Sequence, residues 1–183
     1  MRETAGTDQQ YSQIIKQCKD VFLQKMHDYG NAWRILRPSS LTDQIYIKAH
    51  RIRSLQNKGI QKIPEGIIPE FIGIINYSIM GLIQLEWGVS DAIEADDKPI
   101  KEAYDAFFEQ ARSLMHNKNH DYGEAWREMR VSSLTDIILM KLLRIKQIEN
   151  NQGVTSCSEG IDANFYDIIN YAVFAMIKLE LEQ

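Results

Sequence analysis

The chain has 183 residues, 44% of them apolar, with 21 lysines and arginines against 25 aspartates and glutamates, for a formal net charge of −4 at pH 7. This length supports a core without disulfides or metals, and the two cysteines, Cys18 and Cys157, fit a reducing compartment better than a disulfide framework. Neither half carries a basic stripe of the kind that binds duplex DNA, and the N-terminus lacks the apolar segment of a secretion signal, so we expect a cytoplasmic protein.

The first half of the chain reads as three helices. The first is predicted behind Asp8 as N-cap, because apolar residues recur at helical spacing up to Gly30, which suits the left-handed position after a helix. Residues 40–43 have the spacing of a capping box, which predicts the start of a second helix. A third, strongly apolar helix is predicted over residues 68–87, with Pro69 in its first turn.

The second half repeats the first. The segment His27–Asp43 returns as His120–Asp136 with 13 of 17 residues identical and a constant offset of 93. A second block, residues 65–77, returns at 159–171 with an offset of 94. Two copies of this length indicate a tandem duplication, which favours a pseudo-twofold arrangement. The same helix order is therefore predicted over residues 100–117, 135–150 and 164–182.

These elements predict an all-α fold in which two tandem three-helix repeats pack as a pseudo-twofold helical bundle. The repeats are predicted over residues 8–87 and 100–183, with a polar linker over residues 88–99. The third helix is long enough to cross a membrane, but polar residues within it, such as Glu70, favour a buried helix. We therefore expect no membrane partner and no duplex DNA partner, and the sequence does not indicate an oligomeric state.

The motif His-Asp-Tyr-Gly occurs in both copies and carries two candidate catalytic residues, Asp28 and Asp121. Two interpretations of these aspartates stay open. In the first, the glycine turns the chain at a helix end and the carboxylate binds nearby backbone amides. In the second, Asp28 or Asp121 is a magnesium ligand or a general base beside the neighbouring tyrosine.

Cations and aromatic residues that recur in both copies are candidates for ligand binding. A pair of arginines lies in the short turn after the first helix, and a lysine and an arginine share one face of the second helix, whose first amides form an anion site. Arginine binds phosphate through two hydrogen bonds and aromatic faces stack on bases, so we predict a small phosphorylated ligand, a nucleotide. The predicted residues are Tyr29, Trp33, Arg34, Arg37, Lys48, Arg51, Tyr122, Trp126, Arg127, Arg130, Lys141 and Arg144. The alternative is a solvated face held by ion pairs.

The start of the third helix differs between the copies in a way that suggests a metal site. Glu70 and Gly73 in the first copy correspond to Asn164 and Asp167 in the second, so each copy has one carboxylate of a pair. If the pseudo-twofold axis brings the two third helices together, Glu70 and Asp167 form one composite site for magnesium, which prefers oxygen ligands. The alternative is that the substitutions leave no metal site.

The repeated motifs resemble those of the nucleotide modification associated domain 1 family. The motifs are Asp-Tyr-Gly-x-Ala-Trp-Arg, Ser-Ser-Leu-Thr-Asp, Lys-x-x-Arg-Ile and Ile-Ile-Asn-Tyr, and the resemblance covers about residues 10–87 and 103–181. It implies a small helical domain linked to nucleotide metabolism or base modification in bacteria and phages.

The chain is also distantly similar to the all-α nucleotide pyrophosphohydrolases of the MazG type, in which acidic pairs on two helices hold magnesium. Here the corresponding second helix has Lys48-x-x-Arg51 and Lys141-x-x-Arg144 instead. We therefore predict a nucleotide-binding protein, with a nucleoside-phosphate hydrolase or transferase as the candidate enzyme. The alternative is a non-catalytic helical module that binds a protein partner.

Overall fold

The computed structural model describes residues 2–59, 63–92 and 96–182, which form six α-helices, two short 3-10 turns and no strand. The turns, Ala32–Ile35 and Ala125–Glu128, follow the first helix of each repeat. The all-α prediction is confirmed. The helices are α1 (Arg2–Tyr29), α2 (Pro38–Asn57), α3 (Ile63–Trp87), α4 (Lys98–Tyr122), α5 (Val131–Asn150) and α6 (Ile161–Glu180).

Several helices begin earlier than the sequence predicts. Helix α1 already includes Asp8, and α3 has Pro69 in its interior, so neither residue marks a helix start. The capping box predicted over residues 40–43 is wrong, because α2 begins at Pro38, whose fixed φ angle suits the first helical position. The predicted left-handed glycine is confirmed, since Gly30 has a φ of 64° and its amide bonds the Met26 carbonyl at 2.8 Å.

The segment that joins the repeats runs from the end of α3 at Trp87 to the start of α4 at Lys98. The predicted linker, residues 88–99, therefore overlaps the first turn of α4. Residues 93–95 of that linker, and residue 183 at the end of the predicted second repeat, lie outside the described residues.

A buried asparagine in the middle of α3 ties three helices together. The Asn76 Oδ1 atom accepts a hydrogen bond from the Tyr104 hydroxyl of α4 at 2.8 Å. The Asn76 amide donates to the backbone carbonyl of Cys18 in α1 at 3.0 Å. Both side chains are buried, and buried polar groups need such partners to offset their lost hydration. The third helix of the first repeat is thus bonded to the first helices of both repeats.

The second repeat makes the same contacts in reverse. Asn170 of α6 accepts a hydrogen bond from the Tyr11 hydroxyl of α1 at 2.7 Å and donates to the Ala111 carbonyl of α4 at 3.0 Å. These residues are the sequence equivalents of those around Asn76. Each first helix therefore packs against both third helices, and the pseudo-twofold bundle has one shared core.

Helices α2 and α5 also pair across the pseudo-twofold axis, in antiparallel directions. Thr42, near the start of α2, donates to Glu149 near the end of α5 at 2.7 Å. Gln56, near the end of α2, donates to Thr135 near the start of α5 at 3.1 Å. Two reciprocal ion pairs flank these bonds, Lys146 with Asp43 and Arg53 with Asp136. The repeats are therefore joined through α2 and α5 as well as through the central helices α3 and α6 and the first helices that pack against them.

Helix α3 has the length and composition to cross a membrane over the segment Gly66–Trp87. Inside the bundle 61% of an apolar 18-residue stretch of this segment is buried against other parts of the chain. A central helix of a packed bundle shows the same composition, so the segment by itself is weak support for a membrane span.

The asparagine bonds provide the first prediction. Replacing Asn170 by alanine leaves the Tyr11 hydroxyl and the Ala111 carbonyl in the core without their partner, so we expect the free energy of unfolding to fall by about 1–3 kcal/mol. Urea denaturation measures this change. Asn117→Ala, at an exposed position of α4, is the matched control and should change stability by less than about 0.5 kcal/mol. Equal stability of the two variants would contradict the role assigned to Asn170.

Candidate ligand-binding site

Two cavities occupy equivalent places in the two repeats. The first-repeat pocket has a volume of about 470 Å³ and lies among the end of α1, the first 3-10 turn, α2 and α3. The second-repeat pocket has a volume of about 360 Å³ and lies among the end of α4, the second 3-10 turn and α6. Most lining residues of the second pocket are the sequence equivalents of residues that line the first. The duplication has therefore produced two versions of one cavity.

A larger depression of about 1080 Å³ lies in the loop between α5 and α6. It is lined by Arg144 and Asn164 together with polar residues of the loop, and it is open to solvent. The equivalent loop of the first repeat includes residues 60–62, which lie outside the described residues. We place the candidate site in the paired pockets because they collect the residues that recur in both copies.

The wall of the first-repeat pocket is aromatic and apolar. Trp33 is half-buried and packs edge-to-face against Phe22, with ring centroids 6.5 Å apart. Tyr29 lies at the mouth of the pocket with 74% of its surface exposed, and Tyr77 and Met80 of α3 complete the wall. Such a surface suits a flat ring, which gains contact area and offset stacking with the aromatic side chains.

Two lysines, Lys25 and Lys48, line the same pocket. The Lys48 Nζ atom lies 3.5 Å from the Glu70 carboxylate and 5.7 Å from the ring centroid of Tyr77. Its aliphatic chain lies over Gly73, where a Cβ atom would come within 2.7 Å of Lys48 Cε. The absence of a side chain at Gly73 therefore leaves space in this part of the pocket, and Lys48 partly fills it.

In the second repeat a carboxylate takes this space. Asp167 stands at the position of Gly73 and is 6% exposed. Lys118 donates to Asp167 Oδ1 at 2.5 Å and Lys141 donates to Oδ2 at 2.8 Å. Burial by itself lowers the pKa of Lys118, but the hydrogen bond and the charge of Asp167 outweigh this effect and raise the pKa above its usual value. Lys118 therefore stays charged at neutral pH, and both lysines are paired with one carboxylate.

An aromatic ring also fills part of the second-repeat pocket. Phe174 stands at the position of Met80 and stacks on Trp126 with ring centroids 4.2 Å apart and planes 4° from parallel. Trp126 is 5% exposed as a result, whereas Trp33 remains half-buried. The second-repeat pocket is thus partly filled by side chains of its own helix α6.

Arg34, predicted to bind a ligand, is instead a buried structural residue. It is 4% exposed and its guanidinium donates to the Gln84 side chain and, at 2.7 Å, to the Gly88 carbonyl. Gln84 in turn donates to the Arg34 carbonyl at 2.8 Å, so the 3-10 turn is held against the end of α3. Arg34 lies outside the lining of the first-repeat pocket, and its guanidinium is hydrogen-bonded within the fold.

Arg127 has the equivalent role in the second repeat. Lys178 of α6 donates to the Arg127 carbonyl at 2.5 Å, as Gln84 does to Arg34. The guanidinium lies over the Trp126 ring, 4.3 Å from its centroid. Its hydrogen-bonding partners are Thr7, Gln10, Glu124 and Glu182. Arg127 therefore ties the second turn to α1 and to the end of α6, and it lies outside the pocket lining.

The other predicted arginines lie away from the paired pockets. Arg37 and Arg130 are exposed at the N-caps of α2 and α5. Arg51 is exposed and pairs with Glu70 at 3.3 Å, and Arg144 lines the loop depression. Of the cations predicted to bind a ligand, Lys48 lines a pocket, and Lys141 is bonded to the Asp167 carboxylate that lines the other.

Asp28 and Asp121, the candidate catalytic residues, are exposed at the ends of α1 and α4. Each lies 3.4 Å from the Nδ1 atom of the histidine that precedes it, His27 or His120. Neither aspartate lines a pocket. The left-handed glycines of the turn interpretation are present, while each carboxylate contacts the neighbouring histidine, so both interpretations stay open.

The two candidate metal ligands, Glu70 and Asp167, are bonded to different cations. Glu70 is bonded to Lys48 and Arg51 of α2, whereas Asp167 is bonded to lysines of α4 and α5. Within the described ranges, no cluster of three or more His, Cys, Asp or Glu side chains could hold a metal ion. Carboxylates neutralised by lysine and arginine do not fit a magnesium site.

Sequence reasoning missed the pocket lysine at the end of the first helix, Lys25 in one repeat and Lys118 in the other. A signal was present, because a lysine stands two residues ahead of His27 and of His120. The identical segment begins at those histidines, so the lysines fell just outside it.

The placement of the arginines provides a second prediction. Removing a buried guanidinium that makes charge-assisted hydrogen bonds should destabilise the protein, so we expect Arg34→Ala to lower the free energy of unfolding by about 1.5–3 kcal/mol. Arg37→Ala, three residues away and exposed, is the control and should cost less than about 0.5 kcal/mol. Urea denaturation of the two variants checks the difference. If Arg34→Ala is as stable as Arg37→Ala, the structural role is wrong.

The comparisons with known proteins agree with the repeated motifs. No curated protein and no solved structure matches the chain. The similarity to the MazG-type enzymes accordingly stays a prediction. The model of the nucleotide modification associated domain 1 family matches residues 25–85 and 118–179, more than half of the chain, and each matched segment begins at a pocket lysine. The chain belongs to the nucleotide modification associated domain 1 family and carries two copies of its domain.

Proposed function

We propose that the protein binds a nucleotide in the first-repeat pocket. The observation that carries this proposal is the pairing of an aromatic wall, formed by Tyr29, Trp33 and Tyr77, with the two lysines of the same cavity. The family description, which refers to nucleotide modification, agrees with such a ligand.

The chemistry of the pocket matches the two ends of a nucleotide. A base has two apolar faces that stack on Trp33 or Tyr29, and a phosphate is an anion that accepts hydrogen bonds from Lys25 and Lys48. A volume of about 470 Å³ lies within the range of small-molecule sites. Asn76 also lines the pocket and presents a side-chain amide next to the aromatic wall.

We propose nucleotide binding in this pocket and do not assign a specific reaction to it. Among the described residues that line the first-repeat pocket there is no carboxylate, imidazole, thiol or aliphatic hydroxyl. A hydrolase or transferase needs a group that activates water or the acceptor, and the groups most often used for this are imidazoles and carboxylates. The carboxylate of Glu70 is bonded to the lining residue Lys48, and it is also paired with Arg51.

Binding is tested by the thermal unfolding of the protein with nucleoside mono-, di- and triphosphates, with and without magnesium. A ligand at 100 times its dissociation constant stabilises the folded state by about 2.7 kcal/mol, which raises the midpoint by about 5–10 °C for a chain of this size. Lys48→Met removes a charge-assisted hydrogen bond to the phosphate and should weaken binding about 10- to 150-fold in calorimetry.

Arg37→Met is the matched control, since it removes an exposed cation that lies outside the pocket. We expect this variant to bind as tightly as the unchanged protein. If both variants bind equally well, the ligand lies elsewhere. If no nucleoside phosphate raises the midpoint, the non-catalytic interaction module becomes the better account of the protein.

A further inference from the structure

The second-repeat pocket contains, in its own side chains, both chemical groups that the proposed ligand would bring to the first. Asp167 places a carboxylate between two lysines, and Phe174 places a flat ring on a tryptophan. At the equivalent positions the first repeat has Gly73, with no side chain, and Met80, with no ring. At these two positions the second-repeat pocket therefore has an anion and a ring that the first-repeat pocket lacks.

The lysines and the tryptophan that these groups contact are present in both repeats. Lys118, Lys141 and Trp126 correspond to Lys25, Lys48 and Trp33, and the last three all line the first-repeat pocket. In the first repeat Lys48 is paired with Glu70 and has no carboxylate at position 73. Trp33 meets Phe22 edge-to-face and, among the described residues, has no ring stacked parallel to its face. The contacts made in the second repeat thus indicate where an anion and a ring would bind in the first.

We propose that Asp167 and Phe174 are an internal mimic of the ligand, so that each chain has one open site, in the first repeat. The ligand of that site is a nucleoside monophosphate with its phosphate between Lys25 and Lys48 over Gly73 and its base on Trp33. This inference rests on the proposed function and adds the pose, the number of phosphates and the number of sites.

The geometry of α6 sets the spacing of the two groups. Asp167 and Phe174 are seven residues apart on one helix, which places them on the same face about 10 Å apart along the axis. A ligand that fills both places must hold its anion and its ring at a comparable separation. A nucleoside monophosphate does so, because the sugar stands between the phosphate and the base.

The charge balance selects a single phosphate. In the second repeat one carboxylate neutralises part of the charge of two lysines. A phosphate monoester with a charge of about −1.5 to −2 at pH 7 matches the two positive charges of Lys25 and Lys48. The additional charge of a triphosphate would have no further cation among the described lining residues.

Exchange of the differing residues between the repeats tests the inference by isothermal titration calorimetry with nucleoside mono- and triphosphates. The unchanged protein should bind one monophosphate per chain, and no more weakly than the corresponding triphosphate. Gly73→Asp with Met80→Phe should abolish binding, because the new side chains take the places of the phosphate and the base. Asp167→Gly with Phe174→Met should bind two monophosphates per chain. Thermal unfolding verifies that each variant is folded.

Gly73→Ala is the matched control for the Gly73→Asp, Met80→Phe variant, because it adds a Cβ atom against the flexible Lys48 chain but no carboxylate. It should retain binding. Two results would overturn the inference through the number of sites: two ligands per chain in the unchanged protein, or one ligand still bound by the Gly73→Asp, Met80→Phe variant. Two others would overturn the pose: loss of binding in Gly73→Ala as complete as in Gly73→Asp, or a triphosphate that binds about tenfold more tightly than a monophosphate. Each of these results leaves nucleotide binding itself standing. Absence of binding by every nucleotide overturns the proposed function and this inference together. If the Asp167→Gly, Phe174→Met variant does not fold, two measurements still test the inference. They are the number of ligands bound by the unchanged protein and the loss of binding in the Gly73→Asp, Met80→Phe variant.

Discussion

A buried side-chain amide has to find partners for its oxygen and its NH2 group, and in this bundle that requirement joins the two repeats. Asn76 and Asn170 lie in the middle of the two central helices, where burial removes most of their hydration. Each takes one partner from the first helix of its own repeat and one, a tyrosine, from the first helix of the other. A single repeat could not satisfy its own asparagine, because the tyrosine belongs to the other copy. Both copies therefore contribute to one shared core, and the repeats are not two separate domains.

The same constraint fixes the position of the pockets. Asn76 lines the first-repeat pocket and Asn170 the second, so each cavity lies over one end of the central hydrogen-bond network. The residues that hold the walls in place are the same in both copies, including the tryptophan of the 3-10 turn and the lysine of the second helix. The copies differ at other lining positions, among them 73 and 80 and their equivalents, which take no part in the network. The bundle can thus keep one architecture while its two cavities have different contents.

The fold follows closely from the sequence because helical periodicity and an internal repeat are local signals. The site follows less closely, since the side of the chain on which a cation lies depends on packing. Arg34 and its counterpart recur in both copies because they hold the 3-10 turn, and recurrence alone cannot separate that role from phosphate binding. Glu70 and Asp167 looked like halves of one pair, but the direction of each carboxylate is set by the cations of its own repeat. Lys25 was missed because it lies just outside the identical segment.

The substitutions at the third helices are related through the lysine in the middle of the second helix. In the first repeat this lysine pairs with Glu70, and in the second it pairs with Asp167, while Asn164 stands at the position of Glu70. Each repeat therefore supplies one carboxylate to that lysine, but from opposite ends of a helical turn. The Glu70 carboxylate stays bonded to Arg51 at 3.3 Å, so the lysine of the first repeat can turn toward a ligand without leaving a carboxylate unpaired. Asp167 is 6% exposed and, among the described residues, forms its ion pairs with the two lysines, so the second repeat lacks this freedom. The position of the carboxylate thus makes the lysine available in one copy and holds it in the other.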